Sequence, residues 1–207
     1  ACSPTRLAAA VLFAAALPAS AANFDPVPKP NTFAPAKAIE GRTVAETLKA
    51  TQLPPGYHLE PVLTEPEIKE PVAIAFDGDG RMYVAELRTY MKDVDGKGEN
   101  EPVSRVSRLT DTDGDGVMDK ATAFADNLVL PRMVLPLDDR AIIAETYTGK
   151  FVSYRDTSGD GVADEKKEIF SGSPTKNNLE HQDTALVWGL DNYIYTGQLN
   201  RRFRLTS

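Results

Sequence analysis

The sequence predicts an all-β protein. It reads as the N-terminal part of a β-propeller, about two and a half four-stranded antiparallel blades, preceded by a signal peptide and a proline-rich linker. Three observations predict this. One acidic, glycine-rich loop occurs twice, at 111–119 and again at 156–164. Each copy is flanked by short runs of β-branched and aromatic residues rather than by helical periodicity. These runs recur with turns between them, four to a unit of about 45–60 residues, which is the period of propeller blades.

Residues 1–22 have the order of a secretory signal. Arg6 supplies the positive start, Leu7 to Leu17 is an apolar run, and Ala19-Ser20-Ala21 is a cleavage tripeptide. The run is too short to remain as a membrane anchor, and no later stretch has the length of a transmembrane helix. The expectation is export to the periplasm or cell surface. The one cysteine, Cys2, lies before the apolar run and would leave with the signal. The linker spans 23–52, punctuated by Pro26, Pro28, Pro30 and Pro35, which favour extended chain. Within it, 43–49 reads either as a short amphipathic helix or as further linker. The helix reading has Thr43 as N-cap and Glu46 completing a capping box.

The folded body is expected over 53–207, opening with the turn Leu53-Pro54-Pro55-Gly56-Tyr57. His58 to Leu63 reads as an edge strand, the one place a proline such as Pro61 is tolerated. His58 is expected to be solvated there rather than to serve as a ligand. The first set of strands is 72–76, 81–86, 103–109 and 120–125. The second is 133–137, 141–145, 150–155 and 165–170. A third begins with 185–189, 193–196 and 202–205. The apolar first strand of each set would line the centre, with the polar outer strand at the rim beside the acidic loop. Trp188 and Tyr195 read as core aromatics. Since closure needs at least about four blades, the sequence reads as part of a longer protein.

The acidic loops carry the clearest chemistry. Asp111, Asp113, Asp115 and Asp119 in the first, and Asp156, Ser158, Asp160 and Asp164 in the second, alternate with glycines that allow a sharp turn. Oxygens at every second position can surround one hard cation, as in the first half of an EF-hand loop. The bidentate glutamate of a full EF-hand is missing: Thr122 and Lys167 stand at that position. Each loop therefore reads as a calcium-stabilised connection between two strands. The plain alternative is an acidic turn without metal, since Asp and Gly are ordinary turn residues.

A net charge of −7 argues against nucleic acid as a partner. There is no Cys-x-x-Cys-His for a c-type haem and no Cys/His cluster for zinc; the only histidines are His58 and His181.

The segment from His181 to Tyr195 resembles a motif of the quinoprotein glucose/sorbosone dehydrogenases. In that motif a histidine opens a strand-turn-strand unit, and His181, Leu186, Gly189, Asp191 and Tyr195 fall in register. The span 53–195 resembles more closely the N-terminal domain of membrane-bound dehydrogenases of planctomycetes and verrucomicrobia. Leu53-Pro54-Pro55-Gly56-Tyr57, residues 71–77, Glu86/Arg88/Tyr90 and the two acidic loops carry that likeness. The resemblance implies a six-bladed propeller binding pyrroloquinoline quinone (PQQ) and oxidising a sugar or alcohol hydroxyl. It also implies His181 as general base and a c-type cytochrome as acceptor. Gln182, Asp183 and Arg88 are candidates to hold the quinone, although Glu86 and Arg88 equally suit a structural ion pair. Asn177 and Asn178 would line the same mouth or equally serve as loop filler. The sequence departs from the motif where Asp183 and Thr184 replace the glycines after the histidine and Asn192 replaces the turn glycine. The rival expectations are a non-catalytic propeller that binds a glycan or protein partner or docks a haem domain, and a small calcium-binding module.

Overall fold

The computed structural model describes residues 40–171, 182, 185–197, 201–204 and 206. The expected signal, most of the linker, His181, Asp183, Asn177 and Asn178 lie outside the described residues. The chain divides after Gly41, and every helix and strand described belongs to the unit Arg42–Ser207.

The regular structure described in that unit is almost entirely β. It opens with one short helix, α1 (Val44–Ala50), whose start follows the sequence closely. Thr43 caps it, Glu46 N–H donates to Thr43 Oγ1 at 3.2 Å, and Thr43 N–H donates back to Glu46 Oε2 at 2.8 Å. None of its residues is buried, so capping rather than packing defines it. Among the described residues no helix is long and apolar enough to cross a membrane.

Among the described residues, eleven strands follow in three antiparallel meanders. β1 (Pro71–Phe76), β2 (Met82–Glu86), β3 (Ser104–Thr110) and β4 (Lys120–Leu128) pair in chain order. So do β5 (Pro131–Pro136), β6 (Arg140–Glu145), β7 (Lys150–Arg155) and β8 (Glu165–Ser171). β9 (Leu186–Trp188), β10 (Ile194–Thr196) and β11 (Arg202–Phe203) form the third sheet. The two sets of four strands fall where the sequence placed them. Each acidic loop joins the third and fourth strand of its sheet, β3 to β4 and β7 to β8.

The alternation of side chains explains why the middle strands read as continuous apolar runs. Val134, Ala141, Ile143, Val152 and Tyr154 of the second sheet form one core with Tyr83, Ala85, Val106, Phe124, Ala125 and Leu128 of the first. Their neighbours on the same strands, Met133, Ile142, Ala144 and Phe151, point the other way and pack with Ile194, Leu186 and Phe203 of the third. Successive residues of a strand face opposite sides, so a sheet buried on both faces needs apolar residues at both. The first sheet is covered on its other face by the preceding segment: Leu63 and Ile68 lie over Met82, Val84 and Leu109.

Here the structure corrects the sequence. His58 to Leu63 forms no strand. Pro61 lacks an N–H for a ladder, and the segment lies against the sheet face instead of along an edge. His58 is exposed and meets Glu60 Oε1 at 2.8 Å, so its solvated character holds outside any strand. The first strand does not interiorise uniformly either: β5 is mostly buried, whereas Val72, Ile74 and Phe76 of β1 are exposed. Trp188 and Tyr195 are 47% and 36% exposed rather than core. Among the described residues the third sheet is packed on one face only, through Ile194, Leu186 and Phe203. Asn192, which stands for the motif's turn glycine, adopts φ 63°, a left-handed conformation that asparagine tolerates well.

The turn between β5 and β6 carries a charged knot. Asp139 accepts from Arg140 Nε at 2.7 Å and from Arg155 Nε, and its backbone carbonyl accepts from Asp156 N at 3.0 Å. The Arg140 hydrogen bond, opposed by partial burial and aided by Arg155, holds the Asp139 carboxyl below its usual range. A carboxyl with a lowered folded pKa stabilises fully above the unfolded value of about 4 and loses that contribution as pH falls below it. The stability gap between the wild type and Asp139→Asn should therefore close as pH drops from about 5 toward 2. Thermal melts across that range test it, and a gap constant with pH would show that the carboxylate charge contributes nothing.

Candidate functional site

The two acidic loops fold on one hydrogen-bond frame. In the first, Asp111 Oδ1 accepts from Gly114 N at 2.7 Å and Oδ2 from Gly116 N at 2.9 Å. In the second, Asp156 Oδ1 accepts from Gly159 N at 2.7 Å and Oδ2 from Gly161 N at 2.8 Å. Gly114 and Gly116 sit at φ +81° and +91°, Gly159 and Gly161 at +79° and +97°, which is why glycine is required at those turns. Each loop is closed at its base by its last aspartate. Asp119 Oδ2 accepts from Thr112 N and Oγ1 at 2.7 and 2.8 Å. Asp164 accepts from Thr157 N at 3.1 Å and Thr157 Oγ1 at 2.8 Å.

Each loop also docks on the element before it in the stack. Met118 N–H donates to Val62 O at 3.0 Å, and its counterpart Ala163 N–H donates to Phe124 O at 2.8 Å. Val62 thus stands to the first loop as β4 stands to the second.

In the first loop one carboxylate oxygen each from Asp111, Asp113 and Asp115 lies within 4.8 Å of the others. Among the described residues this is the one acidic cluster of metal-ligand compactness. Three carboxylates with lone pairs to spare suit a hard cation such as calcium. The Gly116 and Gly114 N–H groups hold the Asp111 carboxyl below its usual range, so it is an anion at neutral pH. Asp119 is outside that cluster, engaged with Thr112, whose N–H and hydroxyl lower its pKa. In the second loop, Ser158 Oγ donates to Asp156 Oδ1 at 3.3 Å, and Asp160 Oδ1 accepts from Val162 N at 2.8 Å. Arg108 of β3 reaches across from the first sheet and donates to Asp156 Oδ2 at 3.1 Å.

The described candidates for quinone binding are otherwise engaged. Arg88 donates through Nε and Nη2 to Glu86 Oε2 at 3.0 and 2.7 Å. That is the structural ion pair among the two readings of the sequence. Gln182 is buried, with Oε1 accepting from Tyr147 N at 3.0 Å. The remaining candidates, His181 and Asp183, lie outside the described residues. A cavity of about 610 Å³ between the second and third sheets, lined by Arg140, Arg155, Lys167, Glu168, Phe170 and Phe203, contains none of the predicted site residues.

Two roles escape a reading of motifs. Glu86 is fully buried at the end of β2, where Oε1 accepts from Ser107 Oγ at 2.5 Å and Oε2 also accepts from Lys69 N at 3.1 Å. Glu145 ends β6 in the same way, and its Oε2 accepts from Val129 N at 2.8 Å. Lys69 and Val129 each stand two residues before the first strand of their sheet, so each glutamate pins the entry of its own sheet. The signal was present as a repeated apolar-Ala-Glu, Val84-Ala85-Glu86 and Ile143-Ala144-Glu145. Arg108 is the other, a cation three residues before the first acidic loop that acts on the second.

No curated protein and no solved structure matches the chain. Residues 43–203 match a family described as a domain of unknown function (DUF7133), and the chain belongs to that family.

Proposed function

We propose that residues 42–207 are successive blades of a β-propeller, stabilised by a calcium ion in the loop 111–119. We further propose that this propeller serves an exported oxidoreductase of the quinoprotein kind, acting on a sugar or alcohol hydroxyl. The observation that carries the scaffold is the repetition of one unit. Two four-stranded meanders stack face to face, with the same loop between the third and fourth strand and the same docking of loop on preceding element. Repeating, mutually burying antiparallel sheets are how propellers are built. The Asp111, Asp113, Asp115 cluster supports calcium there.

The motif around His181 supports the oxidoreductase. An imidazole titrates near neutrality and suits removal of a hydroxyl proton. PQQ, when bound, supplies the two-electron acceptor, with a c-type cytochrome as onward partner. A second reading, a non-catalytic propeller that binds a glycan or a protein or docks a haem domain, is favoured by one observation: Arg88 is held by Glu86.

The test is dye reduction by the full-length protein, supplied with PQQ and calcium, over a panel of sugars and alcohols, beside His181→Ala. The expected result is turnover that falls at least about 100-fold in a variant of unchanged fold, the scale of a lost general base. Calcium uptake with neither turnover nor PQQ binding would sink the oxidoreductase and favour the binding propeller.

A further inference from the structure

We infer that Arg108 is the built-in cation of the second acidic loop, so that the two copies of one motif have divided: the first takes a metal ion, the second an arginine from the neighbouring sheet. The inference rests on the calcium reading of the first loop only for the number of ions expected in the wild type.

A count of hydrogen bonds carries it. An ionised carboxylate offers about four lone-pair sites. Asp156 receives four donors: Gly159 N at 2.7 Å, Gly161 N at 2.8 Å, Ser158 Oγ at 3.3 Å and Arg108 Nη1 at 3.1 Å. Its counterpart Asp111 receives Gly114 N and Gly116 N. The first aspartate of the second loop is therefore saturated, whereas that of the first keeps lone pairs for an ion. Ser158 also stands where the first loop has the carboxylate of Asp113. A hydroxyl lowers the loop's negative charge by one, which suits a single fixed guanidinium better than a divalent ion.

The placement of Arg108 agrees. The side chains of the pair are 11% and 6% exposed, so it is withdrawn from the screening that weakens surface pairs. The guanidinium lies so close to Gly161 that a Cβ there would run into it. A side chain at the loop's second glycine would thus push the arginine aside, besides straining a φ of +97°. Around the pair is a polar cleft of about 200 Å³ that also includes Tyr83 and Asp138.

The topology explains the asymmetry. Arg108 sits three residues before Asp111, on the sheet against which the second loop docks through Ala163 N and Phe124 O. The first loop docks instead on the segment holding Val62, where among the described residues no sheet stands to offer a β3 arginine. At the equivalent place in the second sheet, three residues before Asp156, stands Ser153, which has no cation to lend onward.

The experiment counts calcium ions per chain by isothermal titration, on the full chain and on Arg108→Gln, with circular dichroism to confirm folding. One ion in the wild type and two in Arg108→Gln is the expected result, the second weaker because Ser158 is no carboxylate. None in the wild type and one in the variant would overturn the calcium reading of the first loop yet uphold the role of Arg108. Two in the wild type, or no gain in the folded variant, overturns the inference. Ser158→Asp, an exposed change, provides a second arm should Arg108→Gln fail to fold. With Arg108 in place it should bind no more ions than the wild type, and an added ion there overturns the inference equally.

Discussion

Glu86→Ala should be among the most destabilising single substitutions in this chain, lowering stability by about 3–5 kcal/mol, the cost of breaking a buried pair. Its side chain is fully buried, and four donors converge on it: Ser107 Oγ, Lys69 N, and Nε and Nη2 of Arg88. Removing the carboxylate strands each of them. Arg88, 23% exposed, can turn to solvent and recover part of the loss. Ser107 is buried, so its desolvation stays uncompensated, about 1–3 kcal/mol, whereas the N–H of Lys69, an exposed residue, loses its anchor but can turn to water. Against a total of about 5–15 kcal/mol for an ordinary domain, this is a large share. Glu145→Ala provides the internal control. That carboxylate is partly exposed and its shortest bond is to Val129 N at 2.8 Å, so a loss of about 1–2 kcal/mol is expected. Urea unfolding of both variants gives the comparison. Equal losses would show that the number of converging donors does not set the stability of these sheet entries.

The separation of interacting partners along the chain decided how much of the structure was legible in the sequence. The capping box of α1 joins residues three apart and made the helix one of two open readings, and the first eight strands are runs bounded by turns; both signals are local. The acidic loops were readable for the same reason, since Asp111 reaches only as far as Gly116. The edge strand at His58–Leu63 was misread because alternation survives in a segment that packs across a sheet instead of joining it. The pair of Glu86 with Arg88, two residues on, is among the sequence readings, but the bonds of Glu86 to Ser107 and of Arg108 to Asp156 were hidden by distance, 21 and 48 residues along the chain. A glutamate closing an apolar strand looks like a turn residue until the strand after it supplies a buried serine. Trp188 and Tyr195 failed differently. Their size argued for burial, but Tyr195 lies on the face of the third sheet opposite Ile194, where nothing described packs, and Trp188, on the packed face with Leu186 and Ile194, stands at the end of β9 where the cover runs out.

Phe124→Ala should cost about 3–5 kcal/mol, the range for deleting a fully buried phenylalanine, and should act on the joint between sheets rather than on one sheet. Phe124 projects from β4 into the core shared with Val134, Ile143, Val152 and Tyr154 of the second sheet. Its ring meets Tyr83 edge to face, 5.1 Å between centroids and 81° between planes, a geometry worth about 0.5–1.5 kcal/mol beyond burial. Its carbonyl accepts from Ala163 N, so the backbone that carries the ring also seats the second acidic loop. A cavity at this place loosens two attachments of the second sheet at once, whereas a ladder bond lost within a sheet is shared with its neighbours. At about 2–4 °C per kcal/mol for a chain of this size, the melting temperature should fall by about 10 °C. Phe124→Leu keeps most of the volume and should lose about 1 kcal/mol. If the ring is the joint, hydrogen exchange in Phe124→Ala should quicken most in β5 and the loop 156–164 and least in β2. Uniform quickening, or a loss below about 1 kcal/mol, would mean that the sheets adhere through the aliphatic residues and that Phe124 is not what couples them.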